Sequence, residues 1–407
     1  MKEQKPLKCC EAEGCTIEFE PSTANQKYAY PNCRKTIDSF GICKTRKEIG
    51  MVDMPSNFDT GEVIESDVEL RLAYSRLLQE YEKVKNKKIE VADAIYRAVE
   101  HDIKQSKYLK VAKPLKDPRR TKNEEVAVAI LADWQLAKVT PDYNTDICEE
   151  RIYKFAEKII SLTEIQRQDH PVKKIHVWVL GDIVEGELIF PGQSFLVDGG
   201  LYRQVTIDGP RIMKNFFTRL LEAFEFVDVT CVIGNHGRLT GRGKGDYDPE
   251  TNADRMLYQI VRLIFENEPR INFNIPDGRG ERNFYAIGKV GNYSSLLIHG
   301  DQFTTINSVP SLKSKIYGWK VGAIQKTSVD SNNFAVTEHF DDVFMGHFHT
   351  PSKFTFNTVQ LRVSGSPEST NTYAIERLGA VGRPSQPLMF VHPEKGIVTA
   401  EYTCWLD

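Results

Sequence analysis

Two histidines near the end of the chain are the first residues whose spacing suggests chemistry. His347 and His349 flank Phe348 in the segment Gly-His-Phe-His, directly after a short apolar run, in a chain that has only nine histidines. Neutral imidazole is the commonest metal ligand that proteins offer. The pair is therefore either two surface histidines that happen to lie close or part of a metal site.

Four more polar clusters follow apolar runs of the same strand-like kind. The five clusters together are Asp133-x-Gln135, Gly181-Asp182-x-x-Glu185, Gly234-Asn235-His236, His299-Gly300-Asp301 and Gly346-His347-x-His349. Any one of them alone is typical of an ordinary turn. Five at successive strand ends favour a functional site, because the carboxyl ends of strands in an open α/β sheet meet where such sheets carry their sites.

The donor types in these clusters fit a pair of divalent cations. Carboxylate, amide and imidazole groups together favour Mn²⁺, Fe²⁺ or Zn²⁺ over Mg²⁺, which prefers oxygen ligands throughout. Two neighbouring ions bind phosphate oxygens and lower the pKa of a bound water, so that hydroxide forms near neutral pH. We therefore predict two divalent metal ions, with manganese favoured and iron, zinc and magnesium as alternatives.

The elements that must position these residues follow from the hydrophobic pattern after about residue 124. Continuous apolar runs such as Glu-Val-Ala-Val-Ala-Ile-Leu predict buried central strands. They alternate with amphipathic segments, 146–168 and 209–224 among them, which predict helices. After residue 353 the pattern indicates antiparallel strands joined by turns. The predicted fold class is therefore α/β, with two sheets at the centre of a sandwich.

In order and spacing, the five motifs resemble those of the calcineurin-like metallophosphoesterase superfamily over about residues 124–370. The resemblance implies a four-layer α-β-β-α sandwich in which Asp182 bridges two ions. The further ligands that it implies are Asp133 and His349 for the first ion and Asn235, His299 and His347 for the second. It also implies that His236 gives a proton to the leaving alkoxide. Because residues i and i+2 of a strand point to the same side, His347 and His349 could each face one ion.

One position departs from the family pattern. The first motif of the superfamily reads Asp-x-His, whereas this chain reads Asp-Trp-Gln and has Gln135 in the third place. An amide oxygen can ligate a metal, but it binds borderline ions more weakly than imidazole does. We therefore expect the first ion to be the more loosely bound. The alternatives are a site tuned toward harder ions such as Mn²⁺ or Mg²⁺, partial occupancy, and a non-catalytic scaffold.

Within the superfamily, SbcD-type DNA-repair nucleases and phage-encoded phosphoesterases resemble this chain most. A glycine-rich loop with Arg238, Arg242 and Lys244 directly follows the third motif. Guanidinium and ammonium groups there suit a phosphodiester backbone, so we predict a DNA or RNA substrate, with Arg238 also stabilising the charge that builds up at phosphorus. The alternatives are a phosphomonoesterase, a small-nucleotide phosphodiesterase, and a non-catalytic adaptor that binds nucleic acid or protein.

The first 50 residues predict a small cysteine-rich module. Five of the eight cysteines lie there, and Cys10, Cys15, Cys33 and Cys43 could hold one structural zinc with four thiolates. Their spacing differs from the usual Cys-x₂-Cys knuckle, so thiols without metal are the alternative. A closed four-thiolate site would bind nucleic acid or a partner and would not be catalytic.

Residues 60–112 predict a helical spacer or oligomerisation segment. Residues 66–69 (Ser-Asp-Val-Glu) form a capping box, and apolar residues then recur at helical spacing as far as Ile103. A homodimer formed through this segment is one interpretation. Residues 122–407 form the predicted metallophosphoesterase domain.

Composition limits the classes of protein to which the chain can belong. The formal net charge is −3 and 41% of the residues are hydrophobic, so any nucleic-acid surface must be local. No apolar stretch is long enough to span a bilayer, and the N-terminal residues lack the apolar core of a signal peptide. We therefore expect a cytoplasmic protein without membrane contact, in a bacterium or a phage-infected host cell.

Overall fold

The chain divides into two compact units, Met1–Tyr81 and Glu82–Asp407. The computed structural model describes residues 8–9, 18–19, 94–97, 99–101, 103, 111–114, 123–190, 192–239, 249–275, 284–306, 308–325, 336, 338–369 and 382–407. The residues of predicted function that lie outside this set are Cys10, Cys15, Cys33, Cys43, Arg242 and Lys244. In the first unit, strands β1 (Lys8–Cys9) and β2 (Glu18–Phe19) pair antiparallel.

Six strands of the second unit form one sheet. Four of them run parallel and are β3 (Glu125–Leu131), β4 (Val172–Val179), β5 (Phe226–Cys231) and β6 (Ile271–Asn274). Two antiparallel strands continue the sheet beyond β3 and are β12 (Ser385–His392) and β13 (Ile397–Trp405). The register places Leu131 beside Val179 and Val179 beside Cys231, so β3, β4 and β5 end side by side.

Five further strands form a second sheet in the order β10-β11-β9-β8-β7. Their bounds are β7 (Tyr285–Val290), β8 (Tyr293–Ile298), β9 (Asp342–Met345), β10 (Ser352–Phe356) and β11 (Val359–Val363). Strands β8 and β9 are parallel, and Ile298 lies beside Met345. His299 and Gly346 therefore leave the sheet together, and Gly346 N donates to His299 O at 2.8 Å.

The longer helices of the described residues are α1 (Thr145–Gln166), α2 (Gly209–Ala223), α3 (Ala253–Ile264) and α4 (Val309–Gln325). Asparagine side chains cap two of them, as this residue type commonly does. Asn144 accepts from Ile147 N at 2.9 Å before α1, and Asn252 accepts from Asp254 N at 2.9 Å before α3. Within the described part of the chain, no helix is both long and apolar enough to cross a membrane.

Alternate residues of β3 pack on opposite faces of the six-stranded sheet, as the two-residue period of a strand requires. Ala127 and Leu131 join a cluster of buried side chains from α1, α2 and α3. Val126 and Ile130 join a second cluster with residues of the five-stranded sheet such as Phe344. A third cluster forms between the five-stranded sheet and α4. Burial of each large aliphatic or aromatic side chain contributes about 1.5–3 kcal/mol, so these clusters stabilise the packing of the sheets and helices against one another.

The predicted α/β class with two sheets is confirmed, since the long apolar runs form the buried strands. The predicted segment 60–112 is described only in part, and its helical residues Tyr96, Val99 and Ile103 pack against the cluster of α1, α2 and α3. Its role as a spacer or dimer surface stays a prediction, as does the division into 1–50, 60–112 and 122–407.

Candidate metal centre

Polar residues from both sheets meet just beyond the ends of the strands. Asp182 and Asn235 follow β4 and β5 of the six-stranded sheet, whereas His299 and His347 follow β8 and β9 of the five-stranded sheet. Asp182, Asn235 and His347 all have a side-chain atom within 3.1 Å of His299 Nε2. The structure therefore brings together residues that lie up to 165 positions apart in the chain, as His347 and Asp182 do.

The turns that carry the predicted ligands have an uncommon backbone. Five of these residues have positive φ angles, which are 54° for Asp133, 48° for Gln135, 51° for Asp182, 69° for His347 and 56° for His349. For residues with a Cβ this left-handed region costs about 1–3 kcal/mol and is concentrated at functional sites. The expectation that His347 and His349 continue a strand is wrong, because β9 ends at Met345 and both lie in left-handed turns.

Backbone hydrogen bonds between the loops hold these turns in place. Asp133 N donates to Gly181 O at 3.1 Å, and Gln135 N donates to Asp182 O at 3.0 Å. His347 N donates to both carboxylate oxygens of Asp133, at 2.8 and 3.0 Å. The first, second and fifth motifs are therefore fixed to one another, and the hydrogen bonds offset the strain of the turns.

A buried carboxylate behind the second and third motifs strengthens this framework. Asp254, in the first turn of α3, accepts from Asp182 N and Gly234 N at 2.9 Å each through Oδ2. Its Oδ1 accepts from Ile183 N at 3.0 Å and from Val184 N at 3.1 Å. Asp254 is fully buried, and one side chain thus holds the turns that carry two of the predicted ligands.

Two motif glycines leave room for carboxylates. A Cβ on Gly234 would lie 2.1 Å from Asp182 Oδ1, and a Cβ on Gly346 would lie 2.4 Å from Asp133 Oδ2. Atoms in proteins do not approach so closely without displacement. Glycine at these positions is therefore a steric requirement of the centre.

Four atoms that could ligate a metal lie close together at the buried side chain of His299, and one of them is its own Nε2. Its Nε2 lies 3.0 Å from Asp182 Oδ2, 3.0 Å from Asn235 Oδ1 and 3.1 Å from His347 Nδ1. Its Nδ1 lies 2.8 Å from the carbonyl oxygen of Leu180, to which it donates. When the ring is neutral, this hydrogen bond leaves the Nε2 lone pair directed at the other three atoms.

This donor set fits a divalent ion. Separations of about 3 Å are typical of adjacent ligand atoms when metal–ligand bonds are about 2.1 Å long. The facing nitrogens of His299 and His347 can share only one proton, whereas both can give lone pairs to a cation. Asp182, His299 and His347 form the group that could hold a metal among the residues that the structure describes, and Asn235 adds an amide oxygen.

The charges around Asp182, His299 and His347 favour a bound cation. Burial opposes a charge on His299, but Asp182 and Asp133 raise the pKa of its imidazole to about 10. Burial disfavours the charged form of Asp182, but the neighbouring histidines hold its pKa well below the usual range. Burial and the charge on His299 lower the pKa of His347 to about 3. A divalent ion would therefore replace the proton on His299.

The predicted ligands of the first ion form a looser group. His349 Nε2 lies 3.6 Å from Asp133 Oδ1, and Gln135 Nε2 lies 3.4 Å from Asp182 Oδ2. Gln135 is fully buried, and its Oε1 has no hydrogen-bond partner among the described residues. A buried acceptor without a partner costs about 1–3 kcal/mol, which coordination to a cation would offset. This orphaned oxygen fits Gln135 as a ligand through its amide oxygen.

His236 lies beside these groups, with its Nε2 4.0 Å from Asp182 Oδ2. Its backbone N donates to Asp182 Oδ1 at 2.7 Å, and its Nδ1 lies 3.2 Å from Glu185 Oε2. Burial opposes a charge on the imidazole, but Asp182 and Glu185 raise its pKa to about 9. The ring therefore keeps a proton at neutral pH. Gln193 Nε2 donates to Glu185 Oε1 at 3.0 Å and orients the carboxylate.

Arg238, which we predicted to contact substrate, forms an ion pair with Asp301. The pair joins the third motif to the fourth, and the Arg238 side chain remains 26% exposed. A guanidinium fixed in this way is held in one orientation beside the centre. The placement of Arg242 and Lys244 stays a prediction, since both lie outside the described residues.

Several residues of the centre have roles that the sequence pattern did not indicate. Asp254 and Glu368 each follow a cap or turn sequence without any motif, and Lys138 sits in an ordinary loop. Glu185 belongs to the second motif, but its spacing gave no sign that it would hold His236. Glu368 lies 2.9 Å from His349 Nδ1 and 2.7 Å from Lys138 Nζ, which places a buried carboxylate and its partly exposed lysine partner directly behind a predicted ligand.

Neither a protein-family model nor a curated protein matches this chain. Among solved structures, vacuolar protein sorting 29 from Cryptosporidium parvum is similar with a TM-score of 0.31 and 11% identity, covering 69% of this chain and 99% of that one. An archaeal phosphodiesterase is similar with a TM-score of 0.29 and 12% identity, covering 68% and 99%. A predicted phosphoesterase from Streptococcus pneumoniae has a TM-score of 0.27 and 10% identity, covering 69% and 98%. Likeness at these values says nothing about the activity of this chain.

Proposed function

We propose that the chain is a divalent-metal-dependent phosphohydrolase that cleaves phosphodiester bonds, with DNA or RNA as its substrate. One observation carries the proposal: the buried Asp182 carboxylate contacts predicted ligands of both ions. Its Oδ2 lies 3.0 Å from His299 Nε2, and the same oxygen accepts a hydrogen bond from Gln135 Nε2 at 3.4 Å. Two ions that share one carboxylate are the arrangement by which many phosphatases and nucleases work.

The fold that we propose for this activity is the four-layer α-β-β-α sandwich. Three separate clusters of buried side chains support it. One lies between the six-stranded sheet and helices α1 to α3, one between the two sheets, and one between the five-stranded sheet and α4.

The residues that would hold the two ions are Asp133, Gln135 and His349 for the first, Asn235, His299 and His347 for the second, and Asp182 for both. When bound, the ions supply positive charge to phosphate oxygens and a water of lowered pKa. Manganese is the first candidate, because a mixed set of nitrogen and oxygen ligands suits it better than it suits magnesium.

His236 would supply the proton that the leaving oxygen requires. Without bound ions, Asp182 and Glu185 raise the pKa of its imidazole to about 9, and both carboxylates favour a protonated ring. Glu185 contacts Nδ1 and thereby leaves Nε2 on the side of Asp182. A positioned general acid typically contributes about a hundredfold to ten-thousandfold in rate.

Nucleic acid is favoured over small monoesters by the loop after the third motif. Arg238, Arg242 and Lys244 place three cationic side chains within seven residues of one another. Such groups bind successive phosphates of a polymer, and Arg238 would also stabilise negative charge at phosphorus. The motif resemblance to SbcD-type nucleases and phage-encoded phosphoesterases supports the same substrate class.

A panel of substrates tests the proposal in the presence of Mn²⁺. It contains single-stranded DNA, duplex DNA, RNA, bis-p-nitrophenyl phosphate and p-nitrophenyl phosphate. We expect cleavage of the diester and of at least one polymer. His236→Ala should keep its metal and lose at least about a hundredfold in turnover. His339→Ala is the matched control, because this histidine is 64% exposed and pairs with Asp341.

Two outcomes would contradict the proposal in different ways. Rapid hydrolysis of the monoester without cleavage of any polymer would favour a phosphomonoesterase. A protein that holds both ions, binds nucleic acid and hydrolyses none of the substrates would favour a non-catalytic adaptor.

A further inference from the structure

A chain of three charged or titratable side chains, with the buried carboxylate of Glu368 at its centre, lies behind the predicted first ion site. His349 Nδ1 is 2.9 Å from Glu368 Oε2, and Glu368 Oε1 is 2.7 Å from Lys138 Nζ. The Glu368 side chain is 1% exposed and that of Lys138 is 15% exposed. Isolated charges are expensive to bury, so an ion pair in this place calls for a functional explanation.

The loop that carries Glu368 is anchored to the centre at a second point. Ser366 Oγ donates to the carbonyl oxygen of Asp133 at 2.6 Å, and Glu368 N donates to Ser366 Oγ at 2.9 Å. On the other side, Lys138 N donates to Gln135 O at 3.0 Å. Both members of the ion pair are therefore tied to the motif that supplies Asp133 and Gln135, and their positions are fixed relative to it.

The contact between Glu368 and His349 decides which ring nitrogen carries the proton. A carboxylate at Nδ1 accepts a hydrogen bond from N–H, so the lone pair lies on Nε2, which faces Asp133 Oδ1 at 3.6 Å. A carboxylate behind a ligating histidine also makes the imidazole a stronger ligand. The neutral amide of Gln135 gives this site little strength of its own.

We propose that Glu368, held in place by Lys138, is a positioning residue that fixes the tautomer of His349 and strengthens the first ion site, where Gln135 offers only an amide oxygen. The inference rests on the proposed metal centre and adds to it a reason why that centre tolerates the amide.

Glu368→Gln tests the proposal, because glutamine keeps the size of the side chain and removes its charge. We expect the first divalent ion to bind about 10–100-fold more weakly, as for other carboxylates behind metal-binding histidines, and the second ion to bind as before. Calorimetric titration with Mn²⁺ measures both affinities. Imidazole ¹⁵N NMR spectra of the protein without added metal should show that His349 loses its fixed Nδ1–H form.

A matched control and a rescue separate this role from a merely structural one. Glu401→Gln alters a carboxylate that pairs with Arg362 and Lys353, and it should leave both ion affinities unchanged. Adding Gln135→His to Glu368→Gln should restore binding of the first ion, because a second imidazole replaces the lost ligand strength.

Lys138→Gln provides a second test that leaves Glu368 in place, should Glu368→Gln fail to fold. We expect a smaller loss of affinity at the same ion. Equal affinities and an unchanged His349 tautomer in both variants would overturn the inference and leave the proposed function intact. Wild-type protein that binds no divalent ion would overturn the proposed function and this inference together.

Discussion

Replacing Asp254 by asparagine removes one of the two oxygens that hold the backbone of the metal centre. In the wild-type chain each carboxylate oxygen accepts two backbone hydrogen bonds, Oδ2 from Asp182 and Gly234 and Oδ1 from Ile183 and Val184. Asparagine keeps one acceptor oxygen and presents an NH₂ group in place of the other. Two buried N–H donors therefore lose their acceptor.

The size of the effect follows from these two lost acceptors. Each buried donor left without a partner costs about 1–3 kcal/mol, so Asp254→Asn should lower the free energy of unfolding by about 2–6 kcal/mol. The free energy of unfolding of a natural domain is about 5–15 kcal/mol, so the expected loss is a large fraction of the total stability. Because Asp182 is a predicted ligand and Gly234 adjoins Asn235, we also expect weaker binding of divalent ions.

Urea denaturation followed by tryptophan fluorescence measures the change in stability, since Trp134 and Trp178 are fully buried. Calorimetric titration with Mn²⁺ measures ion affinity in the same samples. Asp169→Asn is the matched control, because its side chain is 77% exposed and surface substitutions usually change stability by no more than about 0.5 kcal/mol. A loss below about 1 kcal/mol for Asp254→Asn, with unchanged ion affinity, would refute the reasoning.

Three further predictions concern the ligands and the proton donor. Gln135→His should tighten the first ion, because imidazole binds borderline metals more strongly than an amide oxygen does; an unchanged affinity in calorimetry would argue against Gln135 as a ligand. Glu185→Gln should lower the pKa of His236, which the Glu185 charge helps to raise, and so move the basic limb of the pH–rate profile to lower pH. A limb that stays in place would show that Glu185 does not act on His236. Ion binding should release protons and strengthen as pH rises, because the pKa of His299 is raised to about 10 and its proton must leave before Nε2 can ligate. Calorimetry in buffers of different ionisation enthalpy counts these protons, and a count of zero would contradict the prediction.

The strand ends could be predicted from the sequence because their signal is local. Apolar runs such as the seven residues of β3 end in a polar cluster, and the types of those polar side chains already indicate metal chemistry. The parallel register of β3, β4 and β5 then aligns the ends of these strands, so that the polar clusters after them lie close together. The placement of Asp182 beside Asn235 needs no information beyond this pattern, whereas His299 follows a strand of the other sheet and its approach depends on how the two sheets pack.

The supporting residues could not be predicted because their contacts are long-range. Asp254 acts on the backbone of Asp182 across 72 residues, and Ser366 acts on Asp133 across 233. Neither contact leaves a periodic trace in the sequence. The left-handed backbone conformation also could not be predicted from the sequence. Glycine is the residue that usually indicates it, whereas His347 has a Cβ.

The two histidines of Gly-His-Phe-His have different surroundings. This difference predicts which of the two proposed ions binds more tightly. His347 joins His299 and Asn235, where the donor atoms already lie 3.0–3.1 Å apart. His349 Nε2 lies 3.6 Å from Asp133 Oδ1, and the Gln135 amide is a further predicted ligand of that group. A site whose ligands are already at coordination spacing needs less rearrangement to bind a metal. A chelator should therefore remove the first ion before the second. The binding affinity of the first ion should also be the one that depends on the Glu368 carboxylate behind His349.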